Sequence, residues 1–528
     1  MTSAKSINGS SNLASRYRYV SLAFAALLFG LLPLEISAGT FYVDSATGSD
    51  RNSGLTKTSA WKSIPGMDGA NRWGTFNSEN KVPAGTTIEI KAGALFSGKR
   101  WVIDKTFFQS GTTTSPVTIR VSASWGSGNV VIDGRGAVVP KWLGGVQITE
   151  LNYIVIAGAD ALRRIEIKNY LAHANILHYN RSNNGAAVGN QLKWFDCHHS
   201  SNYCVDNSWQ DNLLYEDGIA HDNGALEGDI AKQGTGIIMG DVNDATGKNN
   251  IVRRVISYRN GSNSRSNDDS MSFGFQITGG EGTQFESCEA FENGRDGFDA
   301  GRVDNSGDAS MTFINTYSHD NHEDGFGLSS GPTGNVRAIH INTIASNNGQ
   351  ANWTVYDGAH IEIYHAAALA SAANFHTFRT YPDWPAANIK IRNSYLSTSA
   401  GAVQIKYYKL VENGNSKFDS DYNVWVPNAF DKEFFDNYKL SNYSIPPNWR
   451  GTHDKFGIAF LEEILSLSAQ NPGITKNGRK IRNRGIYLSS PNGVNIDRHG
   501  IARAHFPSIG PFSEALDNTN KFRNRGGR

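Results

Sequence analysis

The chain has 528 residues, and its 50 lysines and arginines nearly balance its 49 aspartates and glutamates, giving a formal net charge of +1. This balance gives no reason to expect nucleic acid as a partner. The 55 glycines against 15 prolines favour many tight turns over long helices.

The N-terminus has the pattern of a secretory signal. Arg16 and Arg18 precede an apolar stretch over residues 20–34, and small residues follow it at 37–39. The apolar stretch is short for a membrane span. We therefore predict a signal peptide over residues 1–39, no stable membrane span after its cleavage, and a mature protein that is secreted or periplasmic. An uncleaved membrane anchor is the alternative.

Short alternating apolar runs follow the predicted signal and close on glycine, over residues 84–98, 115–121 and 130–136. Such runs are typical of β-strands that end in tight turns. The opening run over residues 40–50 resembles the first strand and coil of many secreted β-helix proteins. These runs predict the early coils of a β-rich solenoid.

The three cysteines are too few for a disulfide framework. Cys197 and Cys204 can pair in an oxidising compartment, which leaves Cys288 as a small buried apolar residue. A plain core role for all three is the alternative. The sequence has no Cys-x-x-Cys pair, which argues against a metal site built from sulfur.

One sequence pattern returns several times between residues 152 and 406. It consists of a short alternating run, an Asn-containing corner, a second short run and then Asp-Gly. Its clearest copies cover residues 284–299, 312–326 and 337–358. The alternation has the period of a β-strand, without a helical stripe. Repeats at this spacing indicate stacked coils.

We therefore predict an all-β fold, a right-handed parallel β-helix, over residues 40–515, with an N-terminal cap and irregular C-terminal coils. The polar and basic residues 516–528 are predicted to form a disordered tail. The segment over residues 497–512 resembles the final coil of secreted β-helix proteins. Asn315 and Asn342 recur at one corner and predict an internal amide ladder that satisfies backbone groups of the turns.

The repeats can be aligned on the glycine that follows each corner: Gly236, Gly274, Gly297, Gly325, Gly358 and Gly401. Side chains alternate after each glycine. This alternation predicts that Phe275, Phe298, Phe326 and Ala359 point inward. It also places Gln276, Asp299, Gly327 and His360 outward on one sheet surface.

The repeated Asp-Gly is the strongest chemical signal. Asp296, Asp324 and Asp357 precede glycines of the alignment, so we expect them in a row about 4.8 Å apart. Asp299 projects beside them. Like charges this close need a cation or hydrogen-bond donors among them, and oxygen ligands favour Ca²⁺. The alternative is that each aspartate caps its own tight turn.

The segment over residues 295–299, with residues 274–275 one coil before and 324–328 one coil after, resembles polysaccharide lyase family 9, within the pectate-lyase-like superfamily. In that family an Asp-Asp-Gly-aromatic-Asp element holds calcium. The resemblance implies that Asp296 and Asp299 are calcium ligands and that the substrate is an acidic polysaccharide.

The chain departs from the family pattern at three positions. Arg295 replaces a third calcium ligand, and Phe273 stands where a fourth acidic residue is expected. Gly327 occupies the position of the lysine that serves as the catalytic base in the family. The resemblance therefore implies the fold and the substrate class more directly than the mechanism.

Another residue must then act as the base. β-Elimination from a uronic acid removes the proton at C5, and the base can be Lys, His, Tyr or Arg. The alignment puts the strand from His360 to Tyr364 above Gly327, and Lys406 follows on the next coil. Arg302 can pair with a substrate carboxylate. The alternative for each residue is a solvated surface position.

The candidate catalytic residues are His360, Arg302, Glu362 and Lys406; the candidate substrate contacts are Gln276, Tyr364 and Asp324; and the candidate calcium ligands are Asp296, Asp299 and Asp357. These candidates predict a monomeric lyase that cleaves a uronate-containing polysaccharide. A glycoside hydrolase on the same fold is one alternative, because it needs two nearby carboxylates. A non-catalytic carbohydrate-binding protein is the other, since a β-helix alone does not decide function.

Overall fold

The computed structural model describes residues 38–179, 187–208, 210–224, 234–240, 247–261, 272–301, 309–329, 336–356, 358–369, 371, 373–378, 387–397, 403–408, 417–426, 435–438, 452–456, 465–466, 473–474, 486–503 and 511–512. The described residues from Gly39 onward belong to one compact unit. No helix within the described ranges has both the length and the apolar character needed to cross a membrane.

The protein is a right-handed parallel β-helix built from three long sheets, which we name A, B and C. Each coil contributes a strand to sheet A, then to sheet C, then to sheet B. Strands of successive coils pair in parallel. This architecture confirms the predicted fold class. The one helix in the described part of the chain is a single 3-10 turn at Lys57–Ser59.

Sheet A contains the strands Thr40–Val43, Thr87–Ala92, Val117–Gly126, Ile154–Ala157, Gln191–Lys193, Leu214–Glu216, Ile251–Arg253, Thr283–Glu286, Ala309–Ile314, Val336–Ile341, His360–Tyr364, Asn388–Arg392 and Lys417–Asp421. Sheet B contains Trp101–Ile103, Gly144–Thr149, Ala174–Tyr179, Tyr203–Asn207, Thr235–Met239, Phe275–Ile277, Phe298–Ala300, Asp324–Leu328, Ala351–Val355, Ala373–Phe378, Val403–Tyr408 and Phe435–Tyr438. Sheet C contains Leu95–Ser97, Val130–Asp133, Ile165–Lys168, Phe195–His198, Ile219–His221, Ile256–Tyr258, Glu289–Phe291, Tyr317–His319, Ile344–Ser346, Ala367–Leu369, Tyr395–Ser397, Val424–Val426 and Lys455–Phe456. Two small pairs are parallel Ala187–Val188 with Gln210–Asp211 and antiparallel Leu465–Ser466 with Gly473–Ile474.

The corner between sheet A and sheet C is tight because its first residue adopts the left-handed conformation. Ser287, Asn315 and Asn342 have φ values of 54°, 56° and 57°. Asparagine tolerates this conformation better than most residues. The Nδ2 of Asn342 donates to the Oδ1 of Asn315 at 3.2 Å, so the predicted amide contact between these two residues is confirmed.

A longer amide ladder lies at the next corner, between sheet C and sheet B. Each Nδ2 donates to the Oδ1 of the asparagine on the following coil at 2.8 to 3.0 Å. The members are Asn223, Asn260, Asn293, Asn321 and Asn348, all buried. Because an unpaired buried amide is costly, this ladder fixes the vertical alignment of the coils.

The interior of the solenoid is filled by stacked rings. Phe298 lies 4.7 Å from Phe275 and 5.0 Å from Phe326, with near-parallel ring planes. The predicted inward column is therefore confirmed for the three phenylalanines, whereas Ala359 is buried but precedes the sheet A strand His360–Tyr364. Trp353 and Phe375 extend it by two further coils. Aromatic burial of this kind is a large part of the apolar driving force.

The alignment at Gly358 is wrong. Phe326 pairs with Trp353 in sheet B, so the strand after the Asn348 corner is Ala351–Val355, which has no Asp-Gly. Gly358 instead precedes the next strand of sheet A, where His360 pairs with Arg337. The aromatic residue, and not the Asp-Gly pair, marks the equivalent position in this coil.

A second column of rings lies on the outer face of sheet C. Neighbouring ring centroids are 4.8 to 5.0 Å apart with interplanar angles of 18° or less. The rings belong to His198, His221, Tyr258, Phe291 and His319. Each of these side chains is half-buried, so the column shields part of the outer face of sheet C from water.

The cysteine pairing follows the first of the two expectations. Cys197 and Cys204 form a disulfide, and Cys288 is a free, buried thiol. The disulfide links the sheet C strand to the sheet B strand of one coil, so it constrains the corner between them.

The segment over residues 486–503 is not a final coil. It runs back along the corner between sheets A and C, where the Nδ2 of Asn342 donates to the carbonyl of Ile496 at 2.8 Å. Asn393 makes the same kind of bond to Ile486 at 2.7 Å. The corner asparagines offer polar groups that the returning backbone satisfies.

Replacing Asn321 by alanine is expected to lower the free energy of unfolding by about 1–3 kcal/mol, because the neighbouring ladder amides lose their partner while they stay buried. Denaturant titration measures this change. Asn80→Ala, at an exposed position, is the matched control. An unchanged midpoint for Asn321→Ala would contradict the structural role of the ladder.

The stability of the outer column is expected to fall with rising pH. Burial opposes a charge on His319, but hydrogen bonds to Glu289 and Asp320 outweigh burial and raise its pKa. The stabilisation is therefore complete below the unfolded-state pKa near 6.5 and is lost as pH rises through the higher folded-state pKa. His319→Phe keeps a ring but removes the charge. The difference in melting temperature between this variant and the wild type should shrink from about pH 5.5 to pH 9; a constant difference would refute the pairing.

Candidate functional site

The outer face of sheet B carries a vertical column of side-chain positions. Successive strands pair in register through this column, which consists of Gln276, Asp299, Gly327, Thr354, His376 and Lys406. Strand neighbours in a sheet are about 4.8 Å apart. The column is thus a straight row of polar positions, interrupted by one glycine.

Two carboxylates converge at that glycine. A methyl group placed on Gly327 would lie 3.2 Å from Oδ2 of Asp296 and 3.4 Å from Oδ1 of Asp299. The missing side chain of Gly327 therefore leaves a space that both carboxylates face. We call Asp296, Asp299 and Gly327 the acidic ledge.

Asp296 and Asp324 are stacked neighbours, as predicted. The Oδ1 of Asp296 accepts a hydrogen bond from the backbone N–H of Asp324 at 2.9 Å, and the Oδ1 of Asp324 accepts one from Ala351 at 3.0 Å. Each carboxylate thus caps the backbone of the following coil and not its own turn. The third member of the row is Ala351, because Asp324 pairs with it in sheet B; Asp357 lies outside the described residues.

The stacked carboxyls are buried, and burial disfavours their charged form. Burial raises the pKa of Asp296 to about 7, against the lowering effect of Arg295. Burial and the nearby charge of Asp296 also raise the pKa of Asp324 well above its ordinary value. Such sites accept a compensating cation or a proton.

Arg295 supplies one compensating charge beside the ledge. Its Nε donates to Glu323 at 3.1 Å, and its guanidinium lies 5.2 Å from the ring centroid of Phe273. Burial opposes the charge of Arg295, but Asp296 and Glu323 outweigh burial and raise its pKa. Arg295 and Phe273, which are two of the three departures from the family pattern, therefore belong to one cluster.

The ledge fits a hard divalent cation with few protein ligands. Its donors are carboxylate oxygens, which calcium prefers, and one oxygen of each carboxylate lies within 3.4 Å of the position that a methyl group on Gly327 would take. Arg295 lowers the negative charge that a cation would meet. Asp296 and Asp299 are accordingly the residues that would hold calcium here.

Three other sequence candidates lie on a different sheet. His360, Glu362 and Tyr364 belong to sheet A, so the expectation that they stand above Gly327 is wrong. The physical reason is the wrong alignment at Gly358. The sheet B strand of this coil, Ala351–Val355, ends before Gly358, so the strand that follows this glycine belongs to sheet A.

Glu362 is the centre of an ion-pair network on sheet A. It accepts from Tyr364, His360, Lys390 and Arg337. Burial opposes its charge, but hydrogen bonds from Tyr364 and His360 and the charges of Lys390 and Arg337 outweigh burial and lower its pKa to about 2. A carboxylate held ionised by four partners is suited to structure and poorly suited to proton transfer.

The remaining candidates have mixed placements. Gln276 is the column neighbour of Asp299 and is 2% exposed. Asp324 is 5% exposed and serves the next coil, as described above. Lys406 lies on the sheet B column, but its side chain lies outside the described part of the structure, and so does Arg302 altogether.

The sequence analysis missed two features that the structure brings together. His376 shares the column of Asp299, two strands beyond Gly327; its signal was the alternation of Ala373–Phe378. Ligand atoms of Asp196, His198 and His221 on sheet C lie within 4.8 Å of one another. Histidines spaced one coil apart on a strand pattern could have signalled this cluster.

Comparisons with known proteins place the fold but no family. No protein-family model matches the chain, and no curated protein matches its sequence. The solved structure of XylC with xylose is similar, with a TM-score of 0.58 at 9% identity, covering 90% of this chain and 98% of that one. Pectate lyase Pel9A is similar with a TM-score of 0.48 at 17% identity, covering 91% and 97%. A rhamnogalacturonan lyase has a TM-score of 0.44 at 16% identity, covering 84% and 94%. The XylC match supports the fold of the chain alone.

Proposed function

We propose that the protein is an extracytoplasmic polysaccharide lyase that cleaves a uronate-containing glycan at the acidic ledge. The observation that carries this proposal is the approach of Asp296 and Asp299 to one point above Gly327. A cation held there would meet the carboxylate of a uronic acid lying along the sheet B column.

Three further observations support the proposal. The sheet B column repeats polar positions along the solenoid axis, as an extended chain ligand requires. XylC, which shares the fold, was solved in complex with xylose. The Cys197–Cys204 disulfide favours an oxidising compartment, in agreement with the predicted signal peptide.

β-Elimination makes separate demands on charge and on proton transfer. Asp296 and Asp299 would hold calcium, which would neutralise the substrate carboxylate and so make the proton at C5 more acidic. Arg295 adds a second positive charge at the same place. A base then takes the C5 proton, the C4–O4 bond breaks, and the leaving oxygen is protonated.

The base must come from a residue near the ledge. His360 and Glu362 are removed from consideration by their place on sheet A. Lys406 and Arg302 stay candidates, and His376 joins them because its backbone lies on the column between Thr354 and Lys406.

Hydrolysis is the alternative that a specific observation favours. A glycoside hydrolase needs two carboxyl groups about 5–10 Å apart, and Asp296 and Asp299 both lie within 3.4 Å of one point. The two reactions leave different products, because elimination creates an unsaturated sugar end and hydrolysis does not.

Incubation of the mature protein with a panel of uronate polysaccharides and calcium is expected to produce ultraviolet absorbance from unsaturated ends. Asp299→Asn should lower kcat/KM by roughly 100-fold or more, because it removes a charge that stabilises the transition state. Asp419→Asn, at an exposed position on sheet A, should leave the rate unchanged. New reducing ends without absorbance would establish hydrolysis, and glycan binding without any products would establish a binding protein.

Gly327→Ala is expected to lower calcium affinity and turnover together while the melting temperature changes little. The added methyl would occupy the space that the two carboxylates face. Isothermal titration with calcium and the absorbance assay measure the two effects. Ala359→Gly, at a buried position next to sheet A, is the control for a change that lowers stability without touching the acidic ledge. Normal calcium binding by Gly327→Ala would place the cation elsewhere.

A further inference from the structure

We infer that the outer face of sheet C holds a divalent transition-metal site formed by Asp196, His198 and His221. The three side chains each offer one ligand atom, and these atoms lie within 4.8 Å of one another. We call these residues the sheet C site. It stands on a different sheet from the acidic ledge and uses a different ligand chemistry.

The strand pattern explains why these side chains meet. Asp196 and His198 lie two residues apart on one strand, so both face outward while Cys197 between them is buried. His221 pairs in register with His198 on the next coil. Their side chains are 14 to 20% exposed, so an ion from solvent can reach them.

The histidines are oriented in the way that metal ligands are oriented. The Nδ1 of His221 contacts the carboxylate of Asp222 at 2.6 Å, which directs its Nε2 toward Asp196 at 3.1 Å. Metal-ligating histidines almost always give their second ring N–H to such a partner. A metal ion between Nε2 and Asp196 would displace the proton that these two groups share in the metal-free protein.

His198 is directed by its own neighbours. Its Nδ1 lies 2.5 Å from the Nδ1 of His199, so one of these two nitrogens donates a proton and the other accepts it. Its Nε2 points toward Glu166 at 3.4 Å, which is at the long end of hydrogen-bond geometry. A metal ion would satisfy this nitrogen better than the distant carboxylate does.

The same chain contains a sister cluster that lacks one ligand. Glu289 and Asp320 hold His319 at 3.1 and 2.6 Å, as Asp196 and Asp222 hold His221. At the position of His198, the sister cluster has Phe291, which stacks on His319 with centroids 5.0 Å apart.

The sister cluster shows what the coil stacking requires. A ring and two carboxylates around one histidine are enough to complete the ion pairs and the ring column. The second imidazole of the sheet C site is therefore not needed for packing. It adds the third ligand that distinguishes a metal site from an ion pair.

The ligand set selects the class of metal. Imidazole nitrogens favour zinc, copper, nickel or cobalt, whereas calcium takes oxygen ligands. The Cys197–Cys204 disulfide constrains the coil that carries His198, so less conformational entropy is lost when a metal ion orders the ligands. Zinc is the probe for the site because it has no redox chemistry and accepts nitrogen and oxygen ligands together.

Equilibrium dialysis of the full mature protein against zinc, followed by elemental analysis, is expected to give about one ion per chain, in line with a three-ligand site. His198→Phe copies the sister cluster, so it should keep the ring column and the melting temperature of the metal-free protein but lose the bound ion. Zinc should raise the melting temperature of the wild type and not that of His198→Phe. Retained zinc in a folded His198→Phe protein, or a metal-free wild type, would overturn the inference.

The reciprocal variant tests the same idea by gain of binding. Phe291→His supplies the missing imidazole to Glu289 and His319, so a second zinc ion should bind. Asp222→Asn, which removes the carboxylate that orients His221, should weaken zinc binding by about 10–100-fold. Unchanged zinc affinity in Asp222→Asn would show that Asp222 does not orient the ring of His221 for metal binding.

Discussion

The structure depends on vertical registration of the coils, and the buried asparagine ladder between sheets C and B enforces it. Each amide in the row from Asn223 to Asn348 bonds to its neighbour one coil away. A slip of one residue would break these bonds and would turn every side chain of a strand to the opposite face. Registration is what converts distant residues of the sequence into neighbours on a surface.

Registration also concentrates charge, and each sheet deals with that charge differently. On sheet A, Glu362 is ionised and held by four partners. Beside sheet B, Asp296 is buried next to Asp324 and approaches the missing side chain of Gly327 together with Asp299. A carboxylate that is fully paired stabilises the fold, whereas one that is buried and incompletely compensated is suited to bind a cation or a substrate. This contrast supports sheet B as the reactive surface.

Sheet C shows how one repeated arrangement acquires a second use. Its outer column alternates imidazole, phenol and phenyl rings at nearly constant spacing, so the ring matters more for packing than its chemistry does. Exchange of Phe for His at one level then costs little in stability and adds a ligand. Repeat proteins tolerate such changes because each coil contacts only its neighbours.

The sequence by itself determined the fold, since alternation, corner asparagines and the Phe275, Phe298 and Phe326 column follow from a strict two-residue period. It also determined that Asp296 and Asp324 are neighbours. Only the tertiary structure decided to which sheet each strand belongs. Connection lengths vary between coils, and the Asp-Gly before His360 resembles the true repeat although it precedes a sheet A strand. The approach of two carboxylates over Gly327 arises from packing between coils, which no local pattern encodes.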